Sequence, residues 1–553
     1  MKKNKTALLF ILSGLTICLS SCSFLTNFLD QLEEELNNSE GGNSNSNTNF
    51  DVEKTDVSGK TIINHTYKDY SNQSIYPIDS CPSLGNPKIL IIPVWFKDSS
   101  KYISDLKKSI VRKDITTAYF GTNEETGWRS VKTYYEELSS GKLTLTGTVS
   151  QWYEPNYNIA DVARDGEITQ ELVISATDWY FNNHPSEKRS DYDSDNNYFF
   201  DCVMLIYAAP DYQALRKDDY DNLWAYCYWL QNEKTSKVTP NVFFWASYDF
   251  MYSQGADAYN RTDHPYGNGD TTHCNIDAHT YIHEMGHVFG LDDYYDYSSA
   301  DYSPAGMFSM QDSNVGAHDP YSVMALGWAD PYVVTGNSEV TIGVFQKTKD
   351  LVVISPKWNG IGSPFDEYII LELFSNTGLN EFDCTYAYGN NSDLKGPESF
   401  GIRMWHVDSR LTYVNQTKYD PNLAADVYVF NARNMTSDTQ IAKKRTDTYG
   451  VTHAFTNTYN NENYGSVLGR DYYDYNLLQL IRNSAFESYH TKDNFSTDDL
   501  FYTGQYDLTY YANQFVKGKN KKFNNGESLD WSIKIKISGR GEDTTAKIDI
   551  IKN

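Results

Sequence analysis

Two histidines four residues apart flank a glutamate in the run His283-Glu284-Met285-Gly286-His287-Val288-Phe289-Gly290-Leu291-Asp292-Asp293. Positions i and i+4 share one face of an α-helix, about one turn apart. Both imidazoles can therefore reach a single metal ion. Glu284, next to the first ligand, is placed to polarise a metal-bound water. Gly290 can take a positive φ and end the helix. The chain can then double back and bring Asp293 to the same ion. Three protein ligands and one water make the open arrangement of a catalytic zinc, whereas structural zinc sites are closed. With 11 His and 73 acidic residues among 553, chance yields His-acid-x-x-His roughly 0.03 times. The competing reading is a surface helix with two solvated histidines. Against it, Tyr281, Ile282, Met285, Val288 and Phe289 make the helix mostly apolar, and ionisable groups on a buried helix need partners.

Such a helix needs a sheet to carry it. The continuous apolar run Lys88 to Phe96 predicts a buried strand, and Cys202 to Ala208 predicts another. Asn241 to Tyr248 reads as an edge strand. Helical spacing covers Ser130 to Leu138 and Glu167 to Trp179, while Lys142 to Val149 alternates as a half-exposed strand. Strands mixed with helices indicate an α/β domain with the metal helix at its centre. After about Asp330 the texture changes. Glu339 to Phe345, part of Tyr368 to Phe374, Ser532 to Ile537 and Lys547 to Ile550 alternate between turn-rich loops. That pattern predicts an antiparallel β-sandwich, with a helical insertion near Tyr475 to Arg482.

The metal motif and its continuation Asp292-Asp293-Tyr294-Tyr295-Asp296-Tyr297 resemble the immune inhibitor A-type metallopeptidases, peptidase family M6. Three other segments are similar to that family: Tyr134 to Leu143, Met307 to Trp328 and Gly401 to Asp408. The resemblance spans roughly residues 86 to 410 and weakens toward the C-terminus. It implies a metzincin-like catalytic domain with the third zinc ligand just beyond the glycine. Asp293 stands there, with Asp292 and Asp296 as competitors. It also implies a methionine turn beneath the metal, which Met310 matches best and Met307 second. Related enzymes often place an oxyanion-stabilising Tyr two residues past that Met. Here the position is Asp312, leaving Tyr321 or His318 for the role.

Another acidic loop invites a metal. Asp193, Asp195, Asn197 and Asp201 fall at positions 1, 3, 5 and 9, as in the first part of a calcium loop. The usual Gly at 6 and Glu at 12 are missing, so a Ca2+ site competes with a solvated acidic turn.

The N-terminus carries address rather than fold. Lys2, Lys3 and Lys5 precede an apolar stretch from Ala7 to Leu19, too short to span a bilayer comfortably. It ends Leu19-Ser20-Ser21-Cys22, similar to a bacterial lipoprotein box in which Cys22 is lipidated. The expected location is the extracellular side of the membrane, held there by acyl chains; a secreted form is the alternative. The Asn-, Ser- and Gly-rich run from Asn37 to Thr48 cannot bury apolar surface and suits a flexible tether. The chain thus divides into a signal segment (1–22), a tether (23–50), an N-terminal extension (51–85), a catalytic domain (86–335) and a β-rich domain (336–553).

A formal charge of −26 argues against nucleic-acid binding. Beyond the export signal remain Cys81, Cys202, Cys227, Cys274 and Cys384. Their odd number and spacing give no disulfide scaffold. The leading expectation is a zinc endopeptidase acting on protein or peptide substrates, with Glu284 as general base. The alternatives are a catalytically silent surface protein whose β-domain captures glycan or protein, and a hydrolase of non-peptide substrates.

Overall fold

The computed structural model describes residues 52–57, 81–230, 235–252, 275–291, 293–295, 303–356, 358, 366–388, 394–409, 477–485, 493–515, 522–523 and 526–553, and the backbone of four strands between 411 and 454. Cys22, Cys274, Asp292 and Asp296 lie outside the described residues. Among the described residues no helix is long and apolar enough to cross a membrane.

The first sheet contains β1 (Lys88–Val94), β2 (Thr146–Val149), β3 (Val203–Tyr207), β4 (Tyr226–Trp229) and β5 (Val242–Ser247), in the order β2-β1-β3-β5-β4. The first four positions run parallel; β4 pairs antiparallel with β5, Tyr226 opposite Trp245. Successive residues face opposite sides of a sheet, and here both sides are covered. Ile89, Ile91, Met204, Ile206, Phe244 and Ala246 share a core with helix α4 (His279–Val288). Leu90, Ile92, Val203, Leu205, Phe243 and Trp245 share another with helix α3 (Gly166–Asn183). Burial on both faces is why these strands read as unbroken apolar runs. Helices α1 (Lys108–Phe120) and α2 (Val131–Leu138) pack on the α4 side.

The same rule corrects one expectation. Asn241 to Tyr248 does not form an edge: β5 is interior, and all six of its residues are buried. Among the described residues the edge on that side is β4, whose mixed aromatic sequence gives no separate signal.

The C-terminal region is β-rich. Strands β6 (Tyr332–Val334), β8 (Val352–Ile354), β9 (Glu367–Phe374), β10 (Gly401–Asp408) and β15 (Leu478–Ile481) form a second sheet, ordered β15-β10-β9-β8-β6. Strands β7 (Ser338–Gly343), β16 (Gly504–Asp507), β17 (Trp531–Ser538) and β18 (Thr545–Lys552) form a third, ordered β16-β17-β18-β7. Val352, Ile369, Leu371, Ile402 and Met404 meet Ile342, Ile533, Ile535 and Ile548 in one core, which is sandwich packing. One pairing departs from the antiparallel pattern: β6 and β8 are parallel. A further antiparallel sheet joins β11 (Leu411–Asn415), β12 (Asp426–Asn431), β13 (Thr436–Gln440) and β14 (Gly450–Ala454).

The second sheet is buried on its outer face too. Val353, Tyr368, Ile370, Trp405, Val407 and Leu480 belong to the core that surrounds α4. This double burial overrides local pattern near Tyr475 to Arg482. Across 477–482, the described part of that stretch, there is no helix; β15 runs instead, with Leu478 and Leu480 facing the α4 core and Ile481 the sandwich core.

The described parts of the N-terminal extension attach to the rest of the fold at two places. Lys54 bridges to Tyr332, and Thr55 N–H donates to Pro331 O at 2.9 Å. Cys81 N–H donates to Val288 O at 3.1 Å. Cys81, Cys202 and Cys384 are buried free thiols, and Cys227 is a half-buried one.

A buried ion pair ties the second sheet to the segment after α4. Arg403 Nε donates to Glu372 Oε1 at 2.6 Å, and Trp405 Nε1 donates to the same oxygen at 3.1 Å. Arg403 Nη1 also donates to Phe308 O at 3.3 Å. Both charged side chains are almost fully enclosed. Removing one charge strands the other in a dry core, at a cost of about 3–5 kcal/mol. Urea unfolding of Glu372→Gln should show a loss of about that size; an unchanged midpoint would contradict the role given to the pair.

Candidate metal centre

The end of α4 builds most of the site. Gly290 takes φ +95°, which a side chain would oppose. Its N–H donates to His287 O at 2.8 Å, and Leu291 N–H donates to Gly286 O at 3.1 Å. These two bonds form a Schellman turn. The turn swings the Leu291 carbonyl back onto the helix, where it accepts from His287 Nδ1 at 2.8 Å. His283 Nδ1 donates to Met310 O at 2.7 Å. Each imidazole thus donates through Nδ1 and turns its Nε2 inward, toward Asp293.

Those nitrogens converge. The two Nε2 atoms are 3.1 Å apart. Asp293 Oδ1 lies 3.1 Å from His283 Nε2 and 3.2 Å from His287 Nε2. Among the described residues this is the group whose three ligand atoms can hold a metal ion. His283 and Asp293 are buried, as is Glu284 beside them. Glu284 Oε2 is buried without a hydrogen-bond partner, an arrangement that requires a functional explanation.

Electrostatics favour a cation here. Burial alone would lower the His287 imidazole, but the Asp293 carboxylate overrides it and holds it up at about 10. Burial would raise the Asp293 carboxyl; His287 and His283 instead keep it well below the ordinary carboxylate range. Burial pushes Glu284 above its usual value, and the two imidazoles only partly offset that. A metal ion can take the place of the proton that the metal-free cluster holds.

A second layer fixes these groups. A Cβ on Gly286 would lie 2.1 Å from Gln311 Oε1, so glycine lets Gln311 press against α4. Gln311 Oε1 accepts from His318 Nε2 at 3.1 Å, leaving His318 Nδ1 to accept from the Tyr134 hydroxyl at 2.9 Å. Burial lowers His318 far below its usual value, so it stays neutral in this chain. Tyr135 donates to Ile282 O at 2.6 Å. Beyond Asp293, Tyr294 N–H donates to Gln311 O at 2.8 Å and its hydroxyl meets Ser322 Oγ at 2.7 Å. Ser322 lies in the first turn of helix α5 (Pro320–Ala325), capped by Asp319 with proline at the first position.

The C-terminal region contributes too. His279 opens α4 between two carboxylates: Nδ1 is 2.6 Å from Asp277 Oδ1 and Nε2 is 3.3 Å from Asp383 Oδ2. It stacks on Trp128 at 3.9 Å. Asp383, from helix α6 (Glu381–Thr385), also accepts Gly316 N–H at 2.6 Å. Tyr388, just beyond α6, lies 4.7 Å from the His279 ring.

The ligands open onto a cavity of about 650 Å³. Its lining includes the polar His283, Glu284, His287, Asp293 and Asp312 and the apolar Trp224, Ala225, Cys227 and Phe250. Tyr295, Asn314 and Tyr388 also line it. None of residues 52–57 or 81–85 lines it.

Each sequence expectation has its place. His283, Glu284, His287 and Asp293 come together. Met310 is fully buried, and it is its carbonyl that orients His283. Met307 is half-buried with φ +57°. Asp312 reaches the cavity, pushed up to about 6 by burial. His318 and Tyr321 do not: both are enclosed, and His318 is committed to Tyr134 and Gln311. In the acidic loop, Asp193 accepts the N–H groups of Asn197 and Tyr198, Asn197 Oδ1 that of Phe199, and Asp201 that of Ser194. Asp195 Oδ1 accepts from Asn197 N–H. These oxygens close the loop's own turns, and Asp193, Asp195 and Asp201 do not converge as a ligand group. Sequence reasoning misses Gln311, Tyr294, Asp383, Tyr388, Trp224 and Phe250 at the site. Only Gly286 and the Asp319-Pro320 pair carry a local signal for any of this support.

No protein-family model matches this chain, and no curated protein matches it.

The His279 cluster has a pH signature. Its imidazolium, raised to about 9 by Asp383 and Asp277 against the opposing effect of burial, stabilises the fold fully below the unfolded value of about 6.5. That contribution fades as pH rises through about 9. Melting temperatures measured from pH 6 to 10 should fall more steeply for the wild type than for His279→Asn. Parallel curves would contradict the clasp.

Proposed function

We propose that this protein is a zinc-dependent endopeptidase with a metzincin-like catalytic domain of the M6 type. The observation that carries the reading is the convergence of His283, His287 and Asp293 beside a buried, unpartnered Glu284. Zinc suits the donors better than calcium does. Two ligands about 2.0–2.1 Å from a tetrahedral ion lie about 3.3–3.4 Å apart, close to the 3.1–3.2 Å separations here. Calcium takes six to eight oxygens instead.

When bound, zinc supplies Lewis acidity that acidifies water and polarises a carbonyl. The chain does the rest. Glu284, raised by burial, accepts a proton from the attacking water and returns it to the leaving amine. The Leu291 and Met310 carbonyls hold the imidazoles in the one tautomer that coordinates.

A peptide suits the cleft because an edge strand forms part of its wall. Tyr226 and Cys227 of β4 line the cavity, and among the described residues β4 ends its sheet. An edge strand presents N–H and C=O groups that an extended chain can pair with. The lipoprotein-like start of the sequence, ending at Cys22, supports placement on the outer side of a bacterial membrane, with Asn37 to Thr48 as tether.

Two measurements test this reading. Glu284→Gln should keep one zinc per chain and lose about 10²–10⁴-fold in kcat/KM on casein; retained hydrolysis would remove Glu284 from its role. Zinc affinity should rise with pH up to about 10, where His287 gives up its proton. The slope should be about tenfold per pH unit for one proton displaced. Chelator competition between pH 6 and 8 reads this directly, and a flat profile would contradict the ligand set.

A further inference from the structure

The segment that joins β1 to α1 runs against the charge of the chain. Residues 97–113 hold six Lys or Arg and two Asp, a local charge of +4 where the whole chain carries −26. Among the described residues, the most exposed large apolar side chain stands in the same segment: Leu106, 89% exposed. We infer that this segment is a docking surface for an anionic phospholipid bilayer, with Leu106 entering the acyl boundary and the cations resting on headgroup phosphates. The inference goes beyond the peptidase reading and does not depend on it.

A single exposed leucine needs no explanation, but this one is held out by its backbone. Leu106 is the middle residue of a 3₁₀ turn (Asp105–Lys107), closed by Lys107 N–H donating to Ser104 O at 2.8 Å. A first turn (Ser99–Lys101) precedes it, where Ser99 Oγ accepts Phe96 N–H at 2.9 Å. Ile103 and Val111 take the inward positions on either side, fully buried in the core around α4. Lys108 O accepts from Trp152 Nε1 at 3.0 Å. The chain is therefore fastened before and after Leu106. Tyr102, 38% exposed, stands beside Ile103. A tyrosine with an apolar ring and a wet hydroxyl suits the headgroup level, and a leucine suits the layer beneath it.

The acids of the segment are engaged. Asp98 accepts Ile159 N–H at 2.8 Å and pairs with Lys101 at 3.0 Å. Asp105 accepts from Ser100 Oγ at 2.7 Å. Glu154 pairs with Lys108, and Glu125 lies within electrostatic reach of Lys113. Lys97, Lys107 and Arg112 enter no ion pair among the described residues. Long basic side chains can lay their stems on apolar surface and keep the charge at a phosphate. A chain with so large a negative total is repelled by an anionic bilayer, so a local excess of cations decides which face approaches. The start ending at Cys22 and the run Asn37 to Thr48, proposed above as anchor and tether, would raise the effective concentration of this surface at a bilayer.

The test uses the zinc-loaded chain from residue 23, which lacks the signal segment and the lipid and keeps every described residue. Cosedimentation is measured with vesicles of phosphatidylcholine alone and of phosphatidylcholine mixed equally with phosphatidylglycerol. The wild type should bind the mixed vesicles more tightly than the neutral ones, and less so as salt rises. Leu106→Ser should lower that partition by about 10–100-fold, the transfer of one leucine side chain, and Leu106→Met should keep most of it. Lys107→Gln should lower it about fivefold on the mixed vesicles alone. Zinc content and the melting temperature should not change in Leu106→Ser, because the side chain is exposed; if they do, Lys107→Gln and Lys113→Gln carry the comparison. No binding to the mixed vesicles at low salt, equal binding to both kinds, or a partition that these variants leave unchanged overturns the docking surface. Casein hydrolysis in solution should be equal in wild type and Leu106→Ser, so a failure of the peptidase reading would appear there and leave the vesicle result intact.

Discussion

Two backbone carbonyls, those of Leu291 and Met310, decide which nitrogen of each histidine faces inward. Everything else at the centre depends on that constraint. An imidazole free to rotate or change tautomer would offer the site a proton as often as a lone pair. Here both rings are committed, and their Nε2 atoms sit 3.1 Å apart against a shared carboxylate oxygen. One turn does three jobs. The positive φ of Gly290 ends α4, aims the Leu291 carbonyl at His287, and sends the chain back so that Asp293 reaches both rings.

Holding that turn in place requires material from far along the chain. Tyr294 fastens the return to Gln311 and Ser322. Gln311 fits only because residue 286 has no side chain. Asp383 and Asn380 accept the N–H groups of Gly316 and Ala317, ordering the segment that leads to His318. Arg403, from the second sheet, reaches Phe308 just ahead of Met310. The β-rich region is thus part of the frame of the site. Its second sheet is buried on one face by its sandwich partner and on the other by the core around α4.

Much of this is legible in the sequence itself. His283, Glu284 and His287 declare themselves because helical spacing converts sequence distance directly into proximity. Gly290 and Asp293 follow from turn chemistry. Strands β1 and β3 are visible as apolar runs between polar breaks. What cannot be read shares one cause: partners distant in sequence. Leu478 to Ile481 looks helical alone and is a strand because two cores claim alternate residues. The Asn241 to Tyr248 run looks like an edge because β4, its neighbour, has no pattern of its own. Asp383 and Tyr388 join the site across more than a hundred residues. The acidic loop is a separate case. Its spacing matches calcium ligation, yet the same carboxylates satisfy nearby N–H groups, a use that short polar side chains adopt wherever a turn must close.

The central claim is that three side chains hold a zinc ion and leave one position open toward the cavity. Anomalous diffraction at the zinc edge, on crystals of the zinc-loaded protein, tests it most directly. The account predicts a single strong peak about 2.0–2.2 Å from His283 Nε2, His287 Nε2 and an Asp293 oxygen, with the fourth ligand a water on the side of Glu284. A peak elsewhere in the chain, or a fourth protein ligand closing the coordination sphere, would contradict it.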